Sequence, residues 1–292
     1  MVNTRILEQR LGWRSTEEGA EPTPPTRAIG HAPMLQGRIN SARRTSPSAQ
    51  RRAEVEDTWA SLPLILDSVD HLTTKGKTPS FARGTASGTA MDQLRTQLMR
   101  VIADKGWKRI GISSPSRGAG RSFVAAGLAA SIARLETARV LLIDADLEEP
   151  GLHDLLGLRP TGPLESLLSG SIEPEDQLQR IGSSLAVALN SAAVPQGSER
   201  MMAPEAILAL RAMIDCVAPD VVIHDLPPLL SDPVTPALLP QLDAVLLVAD
   251  GLRTTPADIL ESERLLEGLV PLLGVVLNKS EDRDPRAARR RS

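Results

Sequence analysis

The pattern of apolar and polar positions divides the chain near residue 89. From there Met91, Leu94, Leu98, Val101 and Ile102 recur every three or four residues, which predicts an amphipathic helix over 89–104. Beyond it, short β-branched runs alternate with longer helical patterns. RIGIS (109–113), VLLI (140–143), LAVAL (185–189), VVI (221–223), AVLLV (244–248) and LGVVL (273–277) predict strands; 122–136, 201–216 and 255–269 predict helices between them. The strands are apolar on both faces, as strands covered by helices on either side must be. Such alternation predicts right-handed crossovers and a doubly wound, mainly parallel α/β sheet.

Residues 1–88 lack this texture. EPTPPT (21–26), SARRTSPSAQRR (41–52) and TTKGKTPSFARGTASGTA (73–90) are rich in Pro, Ser, Thr, Gly and Arg. They bury too little apolar surface to offset the entropy of ordering, so a long, poorly ordered arm is expected. Two apolar islands interrupt it. Residues 3–13, with Ile6, Leu7, Leu11 and Trp13, suggest a short helix. Residues 54–72, with Trp59, Leu62, Leu64, Ile65, Leu66, Val69 and Leu72, leave open a docking segment or a transient helix. EDRDPRAARRRS (281–292) reads as a charged tail. The expected organisation is an arm over 1–88, one folded domain over 89–280 and the tail.

Composition narrows the setting. Aromatics are 2% of the chain, so the core must be built from Leu, Val, Ile and Ala. A formal net charge of -3 offers no basic footprint for nucleic acid. Cys216 is the single cysteine, which rules out an intrachain disulfide and suits a reducing compartment. No apolar run reaches the roughly 18 residues of a membrane span, and the N-terminus lacks the apolar stretch of a signal peptide. A cytoplasmic protein is expected, and any peripheral membrane association would have to come through a partner.

The chemistry gathers after the first predicted strand of the domain. RIGISSPSRGAGRSFVAAGLAASIARL runs from a strand through Gly118 and Gly120 into an Ala-rich helix beginning near Arg121. Glycines let backbone N–H groups approach phosphate oxygens, and a helix N-terminus favours negative charge. Ser122 stands where such a loop's hydroxyl binds Mg²⁺. The strict Gly-x-x-x-x-Gly-Lys-Ser/Thr pattern is not met: Pro115 replaces the first glycine and Arg121 the lysine. Two further segments add weight. RVLLIDADLEEPGL places Asp144 and Asp146 at the carboxyl end of the next strand, and VVIHDLPPLL places Asp225 at the end of another. Ligands of open α/β sheets bind at such ends, and a hard cation takes oxygen ligands.

Taken together, SSPSRGAGRSF (113–123), VLLIDADLEEPGLHDLLGL (140–158), VVIHDLPP (221–228) and GVVLNKS (274–280) resemble the bacterial tyrosine kinases of capsule and exopolysaccharide synthesis. These are P-loop relatives of the MinD/ParA ATPases with deviant Walker motifs. The resemblance covers about residues 89–280 and implies ATP and Mg²⁺ as ligands. It implies that Gly118, Ala119, Gly120, Arg121, Ser122 and Phe123 cradle the phosphates, with Asn278 near the adenine. It further implies that Ser122, Asp144 and Asp225 serve the metal, while Asp144, Asp146 and Arg121 act in catalysis. The implied partner is a membrane-embedded polysaccharide co-polymerase that governs chain length, and homo-oligomers are a family habit.

The chain departs from that pattern in several places. Arginine is a planar fork where lysine is a compact charge, so Arg121 is expected to impair turnover. With no tyrosine in the 292 residues, autophosphorylation on tyrosine has no acceptor here. Of the family's Glu-x-x-Arg-x-x-Arg assembly motif, the matching positions are Thr89, Asp92 and Arg95, and only the last agrees. Glu148 stands where a basic residue often follows the paired aspartates. Three readings follow: a nucleotide-binding regulator of exopolysaccharide polymerisation and export, an active MinD/ParA-type ATPase or kinase acting on another protein, and a nucleotide-free interaction module.

Overall fold

The computed structural model describes residues 46–74, 78–79, 81–231 and 235–279. In chain order the elements are α1 (Pro47–Ser61), β1 (Leu64–Leu66), β2 (Thr73–Thr74), β3 (Thr78–Pro79), α2 (Ala86–Lys105), β4 (Arg109–Ser113), α3 (Arg121–Ala133) and β5 (Val140–Asp144). There follow α4 (Leu152–Leu156), α5 (Leu164–Leu168), β6 (Leu178–Ile181), β7 (Leu185–Ala188), α6 (Gly197–Met202) and α7 (Pro204–Val217). The last are β8 (Val221–Asp225), α8 (Thr235–Leu238), β9 (Ala244–Asp250), α9 (Pro256–Leu266) and β10 (Leu272–Asn278).

Eight strands form one sheet in the order β1-β6-β7-β5-β8-β4-β9-β10. The six apolar runs all appear as strands, and every pairing from β7 to β10 is parallel. β6 runs antiparallel to β7, and β1 pairs parallel with β6, so one edge of the sheet is reversed. Neither β1 nor β6 was expected as a strand from the pattern. β1 is three residues long, and β6 carries Gln179 and Arg180 among its four.

Alternation of side chains sends the strands' apolar residues into two cores. Ile110, Ile112, Val140, Leu142 and Ile223 pack with α2 and α3, while Leu141, Ile143, Val222, Val245 and Leu247 pack with α5 and α7. The sheet is therefore covered on both faces, as a doubly wound fold requires. α2 presents Met91, Leu94, Leu98 and Ile102 to the first core, with Thr85 capping its start and the left-handed Gly106 its end. α3 is buried at every position except Ser122 and Phe123. Its run of alanines lets it lie close on the sheet. The helical run over 201–216 breaks at Ala203, which is extended because Pro204 follows and starts α7.

The stretch read from composition as a poorly ordered arm differs in its second half. The described residues between 47 and 85 form α1, β1 and the antiparallel pair β2–β3 ahead of α2, with Trp59, Leu62, Leu72 and Phe81 all buried. Trp59 donates from Nε1 to the Ser183 carbonyl at 2.9 Å, and the Arg139 guanidinium lies 4.7 Å from its ring centroid. Composition averages over a segment, whereas docking here depends on a few large side chains placed between polar ones. Residues 1–45, with the expected helix over 3–13, and the tail over 281–292 lie outside the described residues.

A buried arginine ties this flank to the domain. Arg134, just past α3, donates from Nε to Asp70 Oδ1 at 2.8 Å, from Nη1 to Asp92 Oδ1 at 3.0 Å and from Nη2 to the Phe81 carbonyl. Asp92 Oδ1 also accepts from Arg95 Nη1 at 2.9 Å and Ser131 Oγ at 2.5 Å. Asp92 and Arg95, two of the three positions that match the assembly motif, are thus engaged inside the chain.

Candidate functional site

Parallel strands end on one side, so Ser113, Asp144, Asp225, Asp250 and Asn278 share one rim of the sheet. The loop from Ser114 to Gly120 leaves β4 at the middle of that rim. Gly118 (φ 82°) and Gly120 (φ 94°) are left-handed, a conformation that any side chain would strain. Gly120 is also the N-cap of α3 and offers no side-chain acceptor to its first turn. The opening N–H groups of that helix therefore remain for an external anion.

Two consecutive residues at the carboxyl end of β10 brace the loop. Asn278 Nδ2 donates to the Ala119 carbonyl at 2.9 Å, and a Cβ on Gly120 would collide with that same amide. Lys279 Nζ donates to the Gly118 carbonyl and to Asp250 Oδ2 at 3.2 Å. Lys279 holds a left-handed φ of 57° to do so, a strained arrangement of the kind that gathers at functional sites.

Asp144 and Asp225 face each other in register across β5 and β8 and point to the α3 side of the sheet. Both are buried. Asp144 Oδ2 accepts from the Leu152 N–H at 3.1 Å, while Asp144 Oδ1 and Asp225 Oδ1 have no partner. Burial, with Asp225 close by, raises the Asp144 carboxyl well above its ordinary range. Burial also raises Asp225, to about 6, against the opposing pull of Arg121 and a hydrogen bond from Ser122. A pair of carboxylates that cannot both ionise comfortably is one that a cation would relieve.

Asp146 lies just beyond. Its Oδ2 accepts from Arg121 Nη2 at 2.6 Å and from Arg117 Nη1 at 2.9 Å, and its Oδ1 accepts from the Glu149 N–H at 3.0 Å. Arg121 is buried, yet its Nε and Nη1 have no partner. Buried donors and acceptors normally find partners, so this cluster of spare donors beside spare acceptors is where a ligand would complete the structure. The donor set fits Mg²⁺ and phosphate: a hydroxyl and carboxylates for the cation, guanidinium and backbone N–H groups for the anion. Among the described residues no group of three or more His, Cys, Asp and Glu side chains is placed to hold a metal unaided. A Mg²⁺ here would draw its remaining ligands from phosphate and water, as Mg²⁺ commonly does.

The structure brings together Gly118, Ala119, Gly120, Arg121, Ser122, Asp144, Asp146, Asp225 and Asn278. It separates one side chain from them. The Phe123 ring packs against Phe81 with centroids 4.9 Å apart, so it serves the core and only its backbone belongs to the loop. His224 faces away from the site: its burial, with Arg109 nearby, lowers it to about 4, and it is neutral at pH 7. The Cys216 thiol is raised to about 11 by burial and is correspondingly inert. Arg117, Asp250 and Lys279 were not singled out from sequence. Polar residues at strand ends would have been the signal for the last two; nothing local marks Arg117. An apolar groove of about 900 Å³ between α9 and β10 is lined by none of the expected residues.

Comparison with known proteins comes from sequence and from shape. No family profile matches the chain. It is similar to the tyrosine-protein kinase YwqD of Bacillus subtilis, 30% identical over 186 residues that cover 63% of this chain and 78% of YwqD. It is 32% identical over 191 residues to EpsB of Ralstonia solanacearum, covering 65% of this chain and 25% of EpsB. It is also 32% identical over 193 residues to the succinoglycan biosynthesis transport protein ExoP of Rhizobium meliloti, covering 62% of this chain and 23% of ExoP. The chain thus spans about a quarter of the length of those two relatives. The solved kinase domain of Escherichia coli tyrosine kinase ETK superposes with a TM-score of 0.65 at 24% identity, over 79% of this chain and 94% of that domain. At that identity the likeness speaks for the fold.

Proposed function

Because this chain belongs to the family of bacterial tyrosine kinases, we propose that it binds Mg-ATP and uses the bound state to regulate a polysaccharide polymerisation and export machine. The observation that carries the reading is the set of unpartnered buried atoms on Arg121, Asp144 and Asp225 around a glycine loop. A retired site kept only as scaffold has no reason to retain buried polar groups that each cost about 1–3 kcal/mol unsatisfied. ExoP is named for succinoglycan transport, which favours an exopolysaccharide setting and a membrane-embedded co-polymerase as partner. Among the described residues no helix is long and apolar enough to cross a membrane, so membrane contact is assigned to that partner.

In this reading the loop from Gly118 to Ser122 wraps the phosphates with backbone N–H groups, and Arg121 turns its two spare donors toward them. Ser122, Asp144 and Asp225 would hold Mg²⁺, which neutralises phosphate charge when bound. Asp144 and Asp146 would orient an attacking hydroxyl and accept its proton. Asn278 keeps the loop seated beside the base. Arg121 is pinned by Asp146 on one side, so its charge is less free to follow phosphate than a lysine's would be. Poor placement of this kind costs on the order of 100-fold in rate. The chain is therefore a binder with slow turnover.

The test is phosphate release from Mg-ATP by the natural chain, Arg121→Lys and Asp144→Ala. Slow release in the natural chain, raised at least about tenfold by lysine and abolished by alanine, supports the reading. Brisk release that Arg121→Lys leaves unchanged would favour a working ATPase instead.

A further inference from the structure

We propose that Arg117 is a second phosphate-binding residue of this site, and that the acidic turn Asp146-Leu147-Glu148-Glu149 holds it as an internal competitor until nucleotide arrives. This rests on the nucleotide reading above and assigns that site a further ligand-binding group.

The geometry has three parts. Arg117 lies in the loop immediately before Gly118, so its side chain starts from the rim that would surround the phosphates. It crosses to the turn after β5, meeting Asp146 Oδ2 at 2.9 Å, Glu149 Oε2 at 3.2 Å and Glu148 Oε2 at 3.6 Å. There it shares Asp146 Oδ2 with Arg121, the residue in the P-loop lysine's place. One carboxylate oxygen thus collects both guanidinium groups at the mouth of the loop.

The two arginines are held differently. Arg121 is buried and needs only one of its nitrogens for Asp146, so Nε and Nη1 can serve phosphate without breaking that pair. Arg117 is 29% exposed, and its glutamate partners are 44% and 68% exposed. Such exposed pairs contribute little and exchange readily. A polyphosphate presents guanidinium with the same planar pair of oxygens as a carboxylate, at higher charge. Arrival of phosphate therefore transfers Arg117 from the turn to the ligand while Arg121 keeps Asp146 in place. Glu148 and Glu149 act as stand-in anions until phosphate arrives.

The transfer predicts coupling between the turn and Arg117. Mg-ATP affinity would be measured by calorimetry on the full chain, Glu148→Gln/Glu149→Gln, Arg117→Gln and the triple variant. The glutamates are solvent-facing, and melting temperatures would verify that each variant folds. Removing both glutamate charges is expected to tighten Mg-ATP about three- to tenfold. Arg117→Gln is expected to weaken it by a similar factor and to erase the gain when the changes are combined. A gain that persists without Arg117 would mean that the glutamates act only through their field, and overturns the transfer. Unchanged or tighter binding in Arg117→Gln overturns it as well. Absence of binding in all four proteins and in Arg121→Lys would overturn the nucleotide reading itself, and this inference with it.

Discussion

Two buried arginines, thirteen residues apart along α3, show the difference between a group that holds a fold and one that awaits a ligand. The Arg134 side chain is 5% exposed and the Arg121 side chain 9%, so both have lost their water. Arg134 spends Nε, Nη1 and Nη2 on Asp70, Asp92 and the Phe81 carbonyl. Arg121 spends Nη2 on Asp146 and leaves its other two nitrogens bare. Around Arg134 the acceptors are likewise taken, whereas around Arg121 the facing oxygens of Asp144 and Asp225 are bare too. Matching at one end of α3 and mismatch at the other locate the structural joint and the site independently of any motif.

Removing each arginine should separate the two roles most widely. Arg134→Ala leaves the Phe81 carbonyl without its donor and loosens the flank, at a cost of about 2–4 kcal/mol. That corresponds to a fall in melting temperature of about 5–15 °C for a domain of this size. Arg121→Ala removes an under-satisfied buried charge while Arg117 still serves Asp146, so stability should shift by no more than about 1 kcal/mol. Its effect should appear in nucleotide binding instead. Thermal melts with and without Mg-ATP read both; equal melting temperatures for the two variants would break the comparison.

A smaller effect sharpens the electrostatic half of it. Asp225 has an ordinary value of 3.8 and is raised to about 6 in the fold. Between those values the native chain holds more protons than the unfolded one, so ligand-free stability falls as pH rises from about 4 to about 6 and stays lowered above. Asp225→Asn removes the penalty and should raise stability at pH 8 by roughly 2–3 kcal/mol. Mg-ATP affinity should run the other way, rising from pH 5 to 7 in the natural chain as the carboxylate ionises for the cation. The variant should bind weakly with a flatter pH profile. Thermal melts and titrations across that range check both signs.

Much of this arrangement was legible in the sequence. The six strands from β7 to β10 that run parallel announced themselves because a strand covered on both faces must be apolar throughout, as VLLI and AVLLV are. Asp144, Asp146 and Asp225 were legible because a carboxylate closing such a run lands on the ligand rim. β6 and β1 were not, since both are short, β6 carries Gln179 and Arg180, and β1 is only partly covered. In the flank the apolar island over 54–72 left a docking segment open, and Trp59, Leu62, Val69 and Leu72 are buried as that alternative expects; Phe81, a lone apolar residue in a polar stretch, carried no such signal. Phe123 was assigned to the loop by its position beside Ser122, but helical geometry turns its ring toward Phe81. The partners of Arg117 and Arg134 depend on tertiary approach, which no local spacing encodes.

The most direct measurement is a calorimetric titration of the natural chain and Asp144→Ala with Mg-ATP. The account predicts one saturable site in the natural chain and its loss in the variant, because Asp144 supplies a buried oxygen that only a cation would complete. No binding by the natural chain up to millimolar nucleotide, or equal binding by both proteins, would contradict it.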